Sequence, residues 1–325
     1  MKATAKANTN IALVKYWGKR DERLFLPMNG SISITLDRFY TTTTVEFGKE
    51  IKEDTLILNN TLGNVSDTKK VTSFLNKVRD IAGVDYHANI VSENNVPTAA
   101  GFASSASGFA ALATAAIKAL GLELSNEELS VIARQGSGSA CRSIYGGYVE
   151  WLMGDRTDGR DSYAQQLLSE KEWKLTILSV VVATGKKKVS SRDGMKRTVE
   201  TSPFYKGWLE TIPNDLEEAR RAIKEKDFHG LGKVMEENAL KMHATMMGAR
   251  PSIIYWESGT VEVMSCIEEL RYYGIPAYFT IDAGPNVKVL CLTDNEEEIK
   301  KALMELNGVV EIITCYPGAG VNYIL

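Results

Sequence analysis

The chain has 325 residues, of which 44% are hydrophobic and 24% are charged, so we expect an ordinary globular protein of two packed domains. Its formal net charge of −3 gives no electrostatic footprint for nucleic acid. Four widely spaced cysteines without zinc spacing, and the lack of a signal-peptide core or a membrane-length apolar run, predict a cytoplasmic protein with no membrane partner.

The N-terminal segment predicts a strand that runs into a glycine turn. Residues 3–16 alternate small, polar and apolar side chains, and the motif NIALVKYWGK at residues 10–19 places polar and aromatic groups where that strand ends. Lys15, Tyr16 and Lys19 are therefore candidates for binding an anion. The alternative is a sheet edge with solvated lysines.

Several short strands and one helix follow. Residues 31–36 and 40–47 alternate with a period of two and are rich in β-branched side chains, which predicts antiparallel strands. Residues 55–60 and 86–91 predict two further strands. Between them, residues 69–81 carry apolar side chains at helical spacing.

A run of small residues, PTAAGFASSASG at residues 97–108, opens into an Ala-rich segment at residues 109–117 that predicts a buried helix. The first N–H groups of a helix have no intrahelical partner, and the helix dipole favours negative charge there, so this stretch is a candidate phosphate cradle. It is not a Walker A sequence, because no Gly-Lys-Ser/Thr follows the glycines. The alternative is a capped core helix with a face of small residues.

A second loop of glycine and serine comes after the next helix. Ser125 and Glu128 have the spacing of a capping box, and the helix that they begin leads into RQGSGSACRS at residues 134–143. Arg142 in this loop is suited to bidentate binding of a carboxylate or phosphate, and the loop amides add donors. Two such loops in one chain favour an anion site over two unrelated turns.

The middle of the chain predicts the domain boundary. Residues 144–153 predict a strand, residues 155–170 a polar surface excursion, and residues 175–182 a buried strand rich in β-branched side chains. We place the boundary after that strand, which gives domains at residues 1–185 and 186–325. The second domain begins with the basic loop KKKVSSRDGM, which leads into a helix.

The second half is more helical. The predicted helices span residues 204–222, 227–246, 252–273 and 296–306. The predicted strands, expected to form one sheet, span residues 277–282, 287–292, 309–314 and 322–325. Asp282 ends an apolar strand at the glycine turn AGPN. It is either a turn aspartate that caps its own loop or a catalytic aspartate placed by a rigid hairpin.

Four of these segments together resemble the mevalonate diphosphate decarboxylase family, within the superfamily of galactokinase, homoserine kinase and mevalonate kinase. They are NIALVKYWGK at residues 10–19, VPTAAGFASS at residues 96–105, GSGSACRSIYGG at residues 136–147 and DAGPN at residues 282–286. The second segment resembles the phosphate loop of the whole superfamily. The other three resemble the decarboxylases specifically, and the resemblance covers nearly the whole chain.

The resemblance implies an α+β fold of two domains, N-terminal ribosomal-protein-S5-like and C-terminal ferredoxin-like, with the active site in the cleft between them. It implies decarboxylation of (R)-5-diphosphomevalonate to isopentenyl diphosphate for isoprenoid biosynthesis, with ATP and Mg²⁺ as cofactors, through phosphorylation of the 3-hydroxyl group. It also implies a homodimer. The alternatives are a mevalonate or phosphomevalonate kinase of the same superfamily and a non-catalytic ligand-binding or regulatory protein.

The resemblance also implies roles for single residues. Asp282 would orient the 3-hydroxyl group, as a general base or by hydrogen bonding alone, and Lys187 would be the cation beside the transferring phosphoryl group. Arg142 and Asn10 would hold the C1 carboxylate. The other expected substrate contacts are Tyr16, Trp17, Gly18, Lys19, Lys70, Ser137, Gly138, Ser139, Ala140, Cys141, Ser191 and Met195. The expected nucleotide contacts are Ser92, Asn95, Pro97, Ala100, Gly101, Ala103, Ser104, Ser105 and Ser107, with Ser105 near a Mg²⁺ ion held mainly through ATP.

Overall fold

The computed structural model describes residues 1–95, 104–183, 185 and 188–324. Its strands are β1 (Lys2–Val14), β2 (Lys19–Asp21), β3 (Leu26–Pro27), β4 (Ser31–Gly48), β5 (Thr55–Leu58), β6 (Thr61–Leu62), β7 (His87–Asn94), β8 (Tyr148–Trp151), β9 (Ala164–Leu168), β10 (Thr176–Val181), β11 (Ala277–Ile281), β12 (Val287–Cys291), β13 (Glu311–Cys315) and β14 (Asn322–Ile324). Its helices are α1 (Val65–Ala82), α2 (Ser104–Ala119), α3 (Asn126–Arg134), α4 (Ser191–Thr201), α5 (Tyr205–Glu225), α6 (Phe228–Met247), α7 (Ser258–Tyr272) and α8 (Glu296–Met304), with 3-10 helices at Gly138–Ile144 and Thr293–Asn295. In these ranges, no helix has the length and apolar character to cross a membrane.

Eight strands form one large sheet in the order β14-β1-β4-β7-β5-β6, with β8 paired to β4 and β9 paired to β8. β4 is a single strand of 18 residues, where the sequence predicted two strands. Its first part pairs with β8 and its second part with β7, so the chain continues between them without a turn. The intervening Asp37, Arg38 and Phe39 include no glycine or proline, which are the residues that most often end a strand.

Helix α2 packs against β1 and β4 of the large sheet. Its alanines, including Ala110, Ala113 and Ala116, are fully buried, because side chains this small let the helix approach the sheet closely. The prediction of a buried Ala-rich helix is therefore confirmed. The capping box of Ser125 and Glu128 at the start of α3 is also confirmed, with both of its hydrogen bonds present.

Four strands form the second sheet in the order β11-β12-β10-β13, and all neighbours are antiparallel. β10 is buried along its whole length, as its β-branched sequence predicted. Helix α6 packs against β11 of this sheet, against β1 of the large sheet and against α5. Its buried side chains, Leu231, Met235, Met242 and Met246, belong to the largest hydrophobic core. α6 therefore joins the two sheets.

Three predicted elements differ from the structure. The segment predicted as a surface excursion contains β9, an edge strand that pairs with β8. α7 begins only at Ser258, since the buried residues before it, Ile253 and Tyr255, follow a two-residue rather than a helical spacing. β13 and β14 lie in different sheets, because β14 pairs with β1.

Strand pairing crosses the predicted domain boundary. β10 precedes residue 186 but belongs to the second sheet, and β14 at the C-terminal end returns to the large sheet. The division into residues 1–185 and 186–325 stays a prediction. The pairing pattern favours a boundary between β9 and β10, with the last strand returning to the first domain.

Candidate active site

A cleft of about 790 Å³ is lined by residues from both halves of the chain. Most predicted site residues in the described ranges lie in this lining, although they come from distant parts of the sequence. They are Asn10, Tyr16, Trp17, Lys19, Lys70, Ser92, Ser104, Ser105, Ser137, Gly138, Ser139, Arg142, Ser191, Met195 and Asp282.

The carboxylate of Asp282 and the ammonium group of Lys15 form an ion pair inside this cleft. Lys15 Nζ lies 2.6 Å from Asp282 Oδ1 and also donates to the carbonyl oxygen of Ala12 at 2.9 Å. Lys15 directly follows β1 and Asp282 directly follows β11, so each sheet supplies one partner. Burial lowers the pKa of Lys15, and the charge of Asp282 opposes that shift. An ammonium group this close favours the ionised carboxylate, which is the form that accepts a hydrogen bond from a hydroxyl group.

The guanidinium group of Arg142 is buried, and its hydrogen-bond partners are neutral. Nη1 donates to Ser31 Oγ at 2.5 Å and Nη2 to Asn10 Oδ1 at 3.2 Å, while the buried Nε has no partner in the described part of the chain. Asn10 Nδ2 donates to the Ser139 carbonyl oxygen and to Ser143 Oγ, which turns the amide oxygen towards the arginine. Burial lowers the pKa of Arg142. A buried guanidinium with neutral partners is suited to bind an anion.

The hydroxyl group of Tyr16 is buried and has no hydrogen-bond partner among the described residues. The ring lies 4.7 Å from that of Trp151, measured between centroids. A Cβ atom at Gly138 would lie 2.9 Å from two carbons of the Tyr16 ring, so the loop can approach this closely only with glycine. Burial raises the pKa of Tyr16, so its hydroxyl stays protonated at neutral pH. A buried donor in the cleft lining can bind an anionic oxygen.

Among the residues that the structure describes, three further cations line the cleft, namely Lys19, Lys70 and Arg192. Lys19 Nζ lies 2.6 Å from Glu22 Oε2 and 4.3 Å from the centroid of the Phe25 ring. The guanidinium carbon of Arg192 lies 5.7 Å from the same ring. Lys70 is more exposed and pairs with the aspartate three residues before it. Lys19 and Arg192 thus converge on one aromatic ring from opposite halves of the chain.

Two predicted anion loops are neighbours in the structure. Ser104 and Ser105 begin α2, and Ser137 Oγ donates to Ser105 Oγ at 3.3 Å. Ser191 is the first residue of α4, and Met195 lies one turn later. The cleft therefore contains the N-terminal ends of two helices, whose free N–H groups and dipoles favour phosphate.

Several predicted contact residues do not reach the cleft. Ser107 is fully buried, and its hydroxyl shares a hydrogen bond of 2.7 Å with Thr41, which holds α2 against β4. The Asn95 side chain bonds to the backbone of β4, and Gly18 has a φ of 114° that lets the chain turn after β1. The predicted residues outside the cleft lining are Gly18, Asn95, Ser107, Ala140 and Cys141, and their ligand contacts stay predictions. The predictions for Pro97, Ala100, Gly101, Ala103 and Lys187 lie outside the described residues.

The sequence does not indicate how two groups support the site. Lys15 was a candidate for binding an anion, but the structure pairs it with Asp282. Ser31 accepts a hydrogen bond from Arg142, yet nothing distinguishes it in the sequence from the other hydroxyl residues of β4. Both contacts join residues more than 100 positions apart, and local patterns carry no information on such pairs.

The donor set of the cleft fits a nucleotide that brings its own metal ion. Among the described residues, no three histidine, cysteine, aspartate or glutamate side chains are grouped so that they could hold a metal. The cleft offers serine hydroxyls and helix N–H groups instead. Mg²⁺ is usually held by substrate phosphates and water with few protein carboxylates, and the residues present match that mode.

Two family models match the chain. Residues 7–164 match the model described as the diphosphomevalonate decarboxylase-like N-terminal domain. Residues 177–318 match the model described as the mevalonate 5-diphosphate decarboxylase C-terminal domain. Together the two matches cover most of the chain, including both sides of the cleft.

Individual proteins show the same similarity. Diphosphomevalonate decarboxylase of Saccharomyces cerevisiae is 41% identical over an alignment of 327 residues, which covers 95% of this chain and 82% of the yeast protein. The crystal structure of mevalonate diphosphate decarboxylase from Staphylococcus aureus is 46% identical with a TM-score of 0.94, covering 100% of this chain and 98% of that one. A structure of MDDEF in complex with MVAPP, AMPPCP and magnesium is 49% identical with a TM-score of 0.93, covering 100% and 99%. The predicted two-domain α+β fold is confirmed by these matches.

Proposed function

The chain belongs to the diphosphomevalonate decarboxylase family, and we propose that the cleft around Asp282 is where it carries out the reaction of that family. The reaction is the ATP-dependent decarboxylation of 5-diphosphomevalonate to isopentenyl diphosphate in the mevalonate pathway. ATP and Mg²⁺ are its cofactors, and MDDEF binds an ATP analogue together with magnesium. The kinase alternative is excluded, because both family models and the similar proteins are decarboxylases.

The ion pair between Asp282 and Lys15 is the observation that carries this assignment. A tertiary hydroxyl group is a weak nucleophile, so its phosphorylation requires a carboxylate that orients it towards the phosphoryl donor. Asp282 ends β11 inside the cleft, and the Lys15 ammonium 2.6 Å away favours its ionised form. The 3-hydroxyl group of the substrate therefore binds to Asp282, which accepts its hydrogen bond.

Arg142 binds the C1 carboxylate, which leaves as CO₂. As phosphate departs from C3, the bond between the C1 carboxylate and C2 breaks, and its electron pair forms the new double bond. No proton is removed from carbon, so this step needs orientation of the carboxylate rather than a second base. The Arg142 guanidinium, oriented by Ser31 and Asn10, supplies that orientation.

The phosphoryl donor binds on the side of the cleft formed by the start of α2. Ser104 and Ser105 lie at that helix start, and Ser137 of the second loop contacts Ser105. When bound, Mg²⁺ neutralises charge on the phosphate groups. The phosphate loop before Ser104 and the cation Lys187 remain part of the proposal on the strength of the family resemblance alone.

Release of CO₂ is the direct test. Purified protein is incubated with 5-diphosphomevalonate, ATP and Mg²⁺, and ADP and CO₂ are measured together. We expect both products in equal amounts, and no turnover when either ATP or Mg²⁺ is omitted. Formation of ADP and a phosphorylated product without CO₂ would contradict the decarboxylase assignment.

Replacement of Tyr16 by phenylalanine tests the substrate side of the cleft. Because the hydroxyl has no partner among the described side chains, its loss removes no internal hydrogen bond. If it donates to the substrate diphosphate, KM for 5-diphosphomevalonate rises by roughly 10- to 100-fold, since a hydrogen bond to a charged group contributes about 1.5–3 kcal/mol. The melting temperature stays the same or rises. Steady-state kinetics and thermal unfolding measure the two effects.

Tyr148→Phe is the matched control. The Tyr148 hydroxyl is also buried but donates to the carbonyl oxygen of Trp173 at 3.1 Å, outside the cleft lining. Its removal leaves a buried carbonyl group without that donor, so we expect a lower melting temperature and an unchanged KM. An unchanged KM in Tyr16→Phe as well would show that Tyr16 does not bind the substrate.

We also propose a cytoplasmic location and a homodimer. The four cysteines of the chain are all free, which suits a reducing compartment. The edge strand β14 leaves Tyr323 and Ile324 substantially exposed, and an open strand edge with apolar side chains favours association with a second copy. Sedimentation at several protein concentrations measures the oligomeric state.

A further inference from the structure

We propose that Asn238 and His243 of helix α6 are positioning residues that set the separation of Lys15 and Asp282. The inference rests on the role proposed above for Asp282. Lys15 follows β1 of the large sheet and Asp282 follows β11 of the second sheet, yet the two side chains lie 2.6 Å apart.

Strand pairing alone does not determine this separation. Among the described strands, no strand of the large sheet forms a ladder with a strand of the second sheet. The two sheets meet where β4 contacts β13 and where Leu36 forms an isolated bridge with Pro317. Helix α6, by contrast, packs against both β1 and β11. An element that contacts both strands is the one that can set the distance between the residues following them.

Asn238 supports the Lys15 side. Its side chain is fully buried, and Oδ1 accepts a hydrogen bond of 2.8 Å from the backbone N–H of Lys15. Nδ2 donates to Asp215 Oδ2 at 2.7 Å, and Asp215 also accepts from Lys241. If the Asn238 amide were rotated by 180°, its NH₂ group would face the N–H of Lys15 and its oxygen would face the Asp215 carboxylate. The network therefore allows only one orientation of the amide. Lys15 is thereby held through its own backbone.

His243 supports the Asp282 side. Its side chain is buried, and Nε2 lies 3.3 Å from the carbonyl oxygen of Ile281, the residue directly before Asp282. A carbonyl oxygen only accepts, so Nε2 carries the hydrogen in this contact. The imidazole packs against Trp256, with 5.1 Å between the ring centroids. Burial and the nearby Lys15 lower the pKa of His243 to about 4, so the ring is neutral at pH 7.

The two contacts come from one rigid element. Asn238 and His243 are five residues apart, which is about 7.5 Å along a helix axis. Met242, next to His243, lies in the cleft lining, so this part of α6 faces the reacting groups. A misplacement of about 1 Å at a reacting centre lowers the rate by roughly 100-fold. Asn238 and His243, which lie outside the cleft lining, therefore act on the rate through the geometry of the pair.

The test uses two substitutions of His243 that differ in reach. Glutamine places an amide N–H near the position of Nε2, whereas asparagine is too short to reach the Ile281 carbonyl oxygen. We expect His243→Gln to keep kcat within about threefold and His243→Asn to lower it by roughly 10- to 100-fold. KM for 5-diphosphomevalonate and for ATP stays unchanged in both, because other residues bind the two substrates.

A second variant examines the Lys15 side. Asn238→Leu keeps a similar volume and removes both hydrogen bonds, so we expect kcat to fall by roughly 10- to 100-fold with KM unchanged. Val234→Ala, also buried on α6, is the control for lost stability. It lowers the melting temperature but leaves kcat unchanged. If Asn238→Leu does not fold, the His243 pair alone decides the question.

Three outcomes overturn the inference. They are equal kcat values for His243→Gln and His243→Asn, a change confined to KM, and a fall in kcat in Val234→Ala that matches the other variants at the same melting temperature. Asp282→Asn is measured in parallel. If that variant keeps its turnover, the proposed function fails. If it loses turnover while His243→Asn and Asn238→Leu keep theirs, only the inference fails.

Discussion

Asp282→Asn is expected to lower kcat by roughly 10²- to 10⁴-fold, the usual contribution of a positioned general base or hydroxyl-orienting carboxylate. Asparagine has nearly the same shape, but it is neutral and cannot take a proton. It also leaves the buried Lys15 ammonium without the carboxylate 2.6 Å away. Because the diphosphate and the C1 carboxylate are bound elsewhere, the dissociation constant of 5-diphosphomevalonate changes by less than about threefold. Single-turnover kinetics and calorimetric titration measure the two quantities.

Asp54→Asn is the matched control for that experiment. Asp54 forms a more deeply buried ion pair, with Arg79 between β5 and α1, outside the main cleft. Breaking it costs stability, so the melting temperature falls, but kcat stays within about twofold of the wild-type value. Near-normal turnover in Asp282→Asn would show that another group orients the hydroxyl. An equal loss of turnover in both variants would trace the effect to stability.

Arg142→Lys is expected to lower kcat/KM by roughly 10²- to 10³-fold, although the positive charge is kept. The guanidinium donates to Ser31 with one nitrogen and to Asn10 with another, and its planar fork leaves further N–H groups for a carboxylate. One ammonium nitrogen on a shorter, flexible stem cannot reproduce that arrangement. The substrate carboxylate then binds less tightly and in more than one orientation, so both KM and kcat change.

Arg220→Lys distinguishes loss of fork geometry in the cleft from loss of an arginine in general. Arg220 Nε donates to both carboxylate oxygens of the buried Glu150 at 3.0 Å, and neither residue lies in the cleft lining. We expect the kcat/KM of this variant to stay within about twofold, because the pair lies outside the cleft and its loss affects stability rather than substrate binding. If Arg142→Lys also stays within that range, Arg142 does not orient the carboxylate.

Much of the fold could be predicted because its elements have strong local signals. The Ala-rich run predicted α2, the β-branched run predicted β10, and the Ser125–Glu128 pair predicted the start of α3. At β9 and β14, where the prediction was wrong, a nonlocal strand pairing decided the structure. The segment at residues 155–170 is polar overall, and the strand within it, β9, pairs with the distant β8.

In the site, too, some residues could be predicted from local sequence, whereas others depend on contacts that are distant in the chain. Residues at strand ends and in the two Gly/Ser loops could be identified as anion binders, because helix N-termini and arginine have a chemistry that does not depend on context. Ser107 carries the same hydroxyl as Ser104 and Ser105, yet its position on the inner face of α2 turns it towards Thr41. Which hydroxyl faces a ligand depends on the packing of the helix, and spacing alone did not settle it for these neighbours.

The sequence by itself determined the chemistry available to this protein: a phosphate loop, an arginine loop and a strand-end aspartate, together with the family that combines them. Only the tertiary structure decided that the aspartate is paired with Lys15, that Arg142 is buried among neutral partners, and that α6 contacts both sides of the pair. The physical reason is that an ion pair depends on distance in space. Lys15 and Asp282 are separated by 267 positions in the chain, and only the packing of two sheets on one helix brings them to 2.6 Å.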